Sequence, residues 1–188
     1  MSTTQPIRDV KHVRAIIDHY KNAGQHRNHL LILFGIHSAL RIGDMLKIRW
    51  HHVYDFTNQC PHTSLTLREQ KTGKTKTLAL HSKITKALAL YVRNSKAHDF
   101  LFANPNTGKA ITRTQARRII RSAGEAVNLP RGISCHSLRK TFGYHAWKCG
   151  ISPAVIMEIY NHSNLHATRR YLGISQDDLD AVYMELKF

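Results

Sequence analysis

Four residue types, placed at six points along the chain, could together break and remake a phosphodiester bond. The densest part is Ile133–Tyr171, which holds the His-x-x-Arg pair His136 and Arg139, then His162, then Tyr171. Upstream stand Arg41, directly after an apolar stretch, and Lys71, in Lys71-Thr72-Gly73-Lys74. A phosphodiester carries one negative charge, and its transition state gathers more. Two arginines can bind its oxygens through paired donors and stay charged at any relevant pH. A histidine can donate to another oxygen. Tyrosine is a weak nucleophile while protonated, with a pKa of ~10, so it needs a proton acceptor in a cationic setting. The departing 5′-oxygen needs a proton, which a lysine lowered in pKa by cationic neighbours can give. Covalent capture by tyrosine conserves the bond energy, so a strand could be rejoined without ATP. Taken singly, these residues read as a solvated His-Arg pair, a surface lysine and a half-buried tyrosine. The combination is harder to dismiss.

The elements that must position them follow from periodicity. Asp9 reads as a helix cap, with Val10, Val13, Ile16, Ile17 and Tyr20 at helical spacing and Gly24 as the stop. His26–Leu40 is apolar nearly all round, so it belongs inside the fold and delivers the chain to Arg41. A short helix follows at Met45–Ile48. Alternation in Ser64–Arg68 and Lys76–Leu80 predicts a β-hairpin around Thr72-Gly73, with a third strand near His52–Phe56. Helical spacing then returns: a helix capped by Ser82, and one opened by the capping box of Thr112 and Gln115. The latter turns Arg113, Arg117, Arg118 and Arg121 to one side, a face read as phosphate-contacting. Ser137–Cys149 is the next helix, with Leu138, Phe142, Ala146 and Cys149 inward. It places His136 and Arg139 near a helix N-terminus, where an anion is favoured. Ser152-Pro153 starts another helix, burying Val155, Ile156 and Ile159. Asn164 caps a short helix ending at Gly173, and Ser175–Phe188 forms the last. The expected fold is α+β and mainly helical, with a small antiparallel sheet of two or three strands on one edge. Residues 1–8 are expected to be a loose tail and 9–188 one domain.

Composition narrows the partner. Lys and Arg outnumber Asp and Glu 28 to 12, a formal net charge of +16. Such an excess costs self-repulsion, so a polyanion is the expected partner. No apolar run is long enough to span a membrane, and no signal peptide opens the chain. A nucleic acid is therefore favoured over a membrane surface. Three cysteines without metal spacing predict reduced, buried thiols in a cytoplasmic protein. The 14 histidines lack a zinc-binding pattern, so no metal or other cofactor is expected.

In order and spacing these residues resemble the tyrosine recombinase, or phage integrase, family. The likeness runs from about Val10 to Leu186. It rests on Ala39-Leu40-Arg41-Ile42-Gly43-Asp44, Lys71-Thr72-Gly73-Lys74, His136-Ser137-Leu138-Arg139, Asn161-His162-Ser163 and Arg170-Tyr171-Leu172. The resemblance implies the catalytic-domain fold of that family and a site-specific recombinase acting through a 3′-phosphotyrosine, without metal or ATP. It implies Tyr171 as nucleophile and Arg41, Arg139 and His162 as phosphate ligands. His136 would help take the tyrosine proton and Lys71 would protonate the leaving oxygen, with Lys74 its rival. Lys74, Lys140 and the four arginines would contact DNA. Implied partners are a double-stranded recombination site, further protomers in a tetrameric synapse, and accessory DNA-bending or directionality proteins. The helix after Tyr171 would dock on a neighbouring protomer. An inactive DNA-binding regulator and a type IB topoisomerase are the alternative readings.

The sequence departs from the family pattern in three places. Lys140 stands where many relatives have His. Tyr160-Asn161-His162 replaces the usual Leu-Gly-His. Only about eight residues precede the first helix, where most relatives carry a DNA-binding domain. The expectation is either a piece of a longer chain or a naturally short recombinase like the fimbrial-switch invertases.

Overall fold

Nine of the twelve residues of α2 (His26–His37) are buried, which makes this helix the axis of the protein. In the computed structural model, residues 4–93, 95–129 and 132–174 are described, together with Asp178, Asp180, Tyr183 and Met184. Around α2 pack α1 (Val10–Asn22), α4 (Ser82–Tyr91), α5 (Arg113–Ala126) and α6 (Cys135–Lys148). Leu30, Leu31, Ile32, Leu33 and Phe34 are at most 1% exposed. Each such side chain is worth about 1.5–3 kcal/mol on burial. At Gly35 a Cβ would lie 2.5 Å from Leu138 Cδ1 and 3.1 Å from Leu138 Cβ, so the missing side chain leaves room for α6 to lie close against α2. That approach brings Arg139 on α6 to the chain leaving α2.

Asp9 caps α1 by accepting from the Lys11 amide, and the Thr112–Gln115 capping box opens α5, both as expected. For α4 the cap is His81, one residue ahead of the expected Ser82; its ring accepts from the Lys83 amide. The short helix α3 (Ile42–Met45) begins directly after Arg41. α6 starts at Cys135, so His136 and Arg139 both lie near its beginning. α7 (Pro153–Tyr160) has Ser152 as cap and proline in its first turn, and α8 (Leu165–Leu172) is capped by Asn164 and stopped by Gly173.

The strands differ from expectation in pairing. β3 (Ser64–Arg68) and β4 (Thr75–Ala79) form the expected hairpin, with Leu67 opposite Lys76. The third strand does not join it. β1 (Tyr54–Asp55) instead pairs with β2 (Cys60–Pro61) as a separate small hairpin. The two-residue β1 is turned back at once by Asp55, whose carboxylate accepts from the Thr57 and Asn58 amides.

Other expectations also fail. Pro6 and Ile7 are not loose: both are buried, and the Ile7 amide donates to Thr141 Oγ1 at 2.9 Å. The thiols are not all buried; Cys60 and Cys149 are exposed and Cys135 is intermediate. Cys149 follows the end of α6, beyond the last turn that packs inward. Val155 is 47% exposed, because α7 turns Ile156 and Tyr160 inward instead. The helix expected at 175–188 lies outside the described residues, apart from Asp178, Asp180, Tyr183 and Met184, which are helical. Among the described residues no helix is long and apolar enough to cross a membrane.

Candidate active site

The turn between α2 and α3 builds one wall of the site. Ala39 takes φ 55°, in the left-handed region, which costs a non-glycine residue roughly 1–2 kcal/mol. Its carbonyl accepts from Arg139 Nη1. Arg139 Nη2 donates to the Tyr160 carbonyl at 2.9 Å. Arg139 is 1% exposed, and burial first, then the Arg41 charge, pushes its pKa down to about 10, so it stays cationic at neutral pH. A guanidinium carries more N–H donors than two carbonyls use. Arg139 is therefore fastened and still able to bind an anion.

Arg41 is held by an ion pair, Nη1 to Glu69 Oε1 at 3.0 Å. Glu69 is 1% exposed. Burial raises its pKa, but hydrogen bonds from Asn161 and Thr72 and the charge of Arg41 outweigh this and leave it below the ordinary carboxylate value. Arg41, Lys71, His136 and Arg139 line one cleft of about 360 Å³, shared with Arg113. A double negative charge would meet five cationic or cation-capable groups there.

His162 and Tyr171 lie beside each other, close to Arg139. Their ring centroids are 5.0 Å apart, and the Arg139 guanidinium carbon is 5.6 Å from the Tyr171 centroid. His162 Nδ1 sits 3.0 Å from Thr168 Oγ1. If the threonine hydroxyl donates, the ring proton rests on Nε2, ready to donate elsewhere. Burial, then Arg139, Arg41 and Lys71, push the His162 pKa down to about 4. His136 is lowered as well, by burial first and then by Arg139, Lys140 and Arg41. With both pKa values below the ordinary histidine value, the two rings are mostly neutral at pH 7.

The remaining expected residues are dispersed. Lys74 is exposed on the hairpin turn. Lys140 Nζ donates to the Thr4 carbonyl at 2.6 Å and lies 5.9 Å from the Tyr171 ring centroid. Arg117, Arg118 and Arg121 ride on the exposed face of α5, and Arg121 is paired with Glu125 at 2.7 Å. That acid lies one turn beyond the four arginines. Among the described residues no group of His, Cys, Asp or Glu could hold a metal ion.

Sequence reasoning missed Lys76, Glu69 and Asn161. Lys76 Nζ donates to the Ile159 carbonyl, and burial, then Arg139, bring its pKa to about 8. The signal was there: strand alternation puts Lys76 on the same side as half-buried Leu78. With Arg41 and Arg139 on the Tyr160 carbonyl, three cations gather at the C-terminus of α7, as the helix dipole favours. Tyr160, whose ring stands 5.1 Å from that of Tyr171, is unsuited as nucleophile. It is fully buried, its hydroxyl donates to the Arg139 carbonyl at 2.6 Å, and burial raises its pKa.

The family model described as "Phage integrase family" matches residues 9–177. The "Probable integrase/recombinase YoeC" of Bacillus subtilis (strain 168) is 36% identical over 183 residues, covering 97% of each chain. A "Tyrosine recombinase" of Pseudothermotoga lettingae is 26% identical over 159 residues, which are 83% of this chain and 53% of that one. The fold is that of the crystal structure of XerA recombinase, with a TM-score of 0.78 at 17% identity, covering all of this chain and 66% of that one. XerH, in a structure described as a post-cleavage complex with its difH substrate, gives 0.75 at 16% identity, over 98% and 54%.

Proposed function

The chain belongs to the phage integrase family, the tyrosine-type site-specific recombinases, and on that premise we propose how its residues carry the reaction. Tyr171 attacks a scissile phosphate, forming a 3′-phosphotyrosine and releasing a 5′-hydroxyl. Arg41, Arg139 and His162 hold the phosphate, His136 accepts the tyrosine proton, and Lys71 protonates the leaving 5′-oxygen. Attack of a 5′-hydroxyl from another strand reverses the step and completes exchange. The proposed substrate is a double-stranded recombination site, bound within a four-protomer synapse, with accessory DNA-bending or directionality proteins as further partners. This chain spans about half of the Pseudothermotoga relative, so the complete activity of such longer proteins is part of the proposal. The setting proposed is the cytoplasm of a prokaryotic or phage-infected cell. Lys74, Lys140 and the α5 arginines take the flanking phosphates.

The observation that carries the reading is the convergence of Arg41, Lys71, His136 and Arg139 on one cleft, with Tyr171 beside Arg139. The test is incubation with nicked DNA carrying a candidate site, followed by denaturing electrophoresis. The expected result is a covalent protein–DNA band from the native chain and none from Tyr171→Phe, with equal site binding by both. A band that survives Tyr171→Phe moves the nucleophile elsewhere.

A further inference from the structure

Asn161 stands where the family resemblance leads to the expectation of glycine, and its side chain makes contacts that glycine could not. Asn161 follows α7 at φ 54°, ψ 46°, in the left-handed region, where glycine is most at ease and asparagine is tolerated. Its Nδ2 donates to Glu69 Oε2 at 2.9 Å and to Thr72 Oγ1 at 3.2 Å. Thr72 Oγ1 in turn donates to the same Glu69 oxygen at 2.8 Å. The other Glu69 oxygen holds Arg41 at 3.0 Å. Glu69 and Thr72 flank Lys71 on the hairpin turn, and Asn161 directly precedes His162. The turn's own backbone closes on the same residue: Gly73 donates to the Glu69 carbonyl at 2.9 Å, and the Glu69 amide donates to the Lys74 carbonyl at 3.0 Å.

We propose that Asn161, acting through Glu69 and Thr72, is a positioning residue that clamps the β3–β4 hairpin so that Lys71 is aimed at the leaving oxygen of the phosphate held by Arg41. The proposal rests on Lys71 being the general acid. A lysine on an exposed turn has no packing of its own to aim it, and the clamp supplies that restraint. The buried carboxylate is satisfied by three donor groups from three parts of the chain, so no charge is left unpaired when the clamp closes. Misplacement of a reacting group by about 1 Å can cost 10²-fold in rate.

Asn161→Gly removes the amide and leaves a residue that suits the left-handed turn. Thr72→Val opens the clamp from the hairpin side. Two measurements decide the matter. In amide hydrogen exchange of the protein without DNA, both variants should exchange faster at Glu69 and Gly73, whose amides close the turn, with the α2 amides unchanged. In cleavage assays, both should be roughly 10- to 100-fold slower on ordinary DNA. Both should be nearly as fast as the native chain on a strand with sulfur at the 5′-bridging position. That sulfur leaves as a thiolate, whose parent thiol has a pKa of ~8.5, and needs no acid. Unchanged exchange at the turn overturns the clamp. Faster exchange with equal slowing on both substrates, while sulfur does rescue Lys71→Ala, overturns the link from clamp to lysine. Failure of sulfur to rescue Lys71→Ala itself removes the general-acid assignment and, with it, the proposed aim of the clamp.

Discussion

On α6 and on α5 the chain places arginines in opposite settings. Arg139 is 1% exposed, anchored to the Ala39 and Tyr160 carbonyls, and pushed down in pKa to about 10. Arg117, Arg118 and Arg121 lie in solvent, and no backbone carbonyl is needed to place them. A cation fixed in a low-dielectric wall costs desolvation, and its interaction with developing charge is correspondingly strong. A cation in water costs nothing to place, and its interaction with DNA is screened and diffuse. On the proposed function, the first kind would serve a transition state and the second a duplex.

The sharpest way to break this contrast is to remove one arginine from each setting. Arg139→Ala should lower the cleavage rate by on the order of 10²–10³ or more, since it deletes donors to the charge that develops on phosphate. It should also lower the urea midpoint, because the Ala39 and Tyr160 carbonyls lose their shared donor in a buried site. Arg118→Ala should leave stability within about 0.5 kcal/mol and cleavage at saturating DNA unchanged. Equal losses of rate in the two variants would mean that burial does not separate their roles.

Much of the site was legible because its residues sit in short local strings. Arg41, His136, Arg139, His162 and Tyr171 each carry neighbours that match a family pattern, and the helix caps at Asp9 and Thr112 are decided within four residues. The supporting shell was not legible for the opposite reason. Glu69 meets Arg41 across 28 positions and Asn161 across 92, and no local pattern announces either contact. Lys76 fails in a third way: alternation marked its strand, but a lysine turned inward becomes meaningful only when α7 is placed against it. The separate β1–β2 hairpin shows the same limit, since strand propensity says nothing about which strand is the partner.

A smaller effect is expected from acid. His29, His37, His52, His81, His136 and His162 are all lowered in pKa, each by burial first, with His37 and His162 at about 4. Below the ordinary histidine value of ~6.5 the unfolded chain binds protons that the folded chain refuses. The unfolded state thus holds more protons, and stability falls as pH falls from about 6.5 toward 4. Glu69, lowered in the fold, adds a loss in the same direction at still lower pH. The urea midpoint should be lower at pH 5 than at pH 7.5. DNA should reverse part of this at His162, because a phosphate beside the ring favours its charged form. A flat midpoint across that range would show that the rings are hydrated in solution and that the cationic wall is softer than drawn.

The smallest effect concerns the exposed stripe, and it separates the arginines within it. If about eight phosphates are contacted, log K should fall against log salt with a slope near −7, each contact giving roughly −0.9. Arg117→Ala should flatten the slope by about 0.9 if the proposed phosphate contact is made, since its charge is felt at Cys135 on the cleft wall. Arg121 begins from a different state, already paired with Glu125 at 2.7 Å. That pair is exposed on both sides and worth at most about 1 kcal/mol, so a phosphate can displace the carboxylate but must work against it. Arg121→Ala should therefore weaken binding less than Arg117→Ala. Glu125→Gln should tighten binding at low salt, with the gain fading as salt rises. An unchanged slope in both arginine variants would return this face of α5 to plain solvation. Equal effects at the two positions, with Glu125→Gln silent, would show that the Arg121–Glu125 pair is already open in solution.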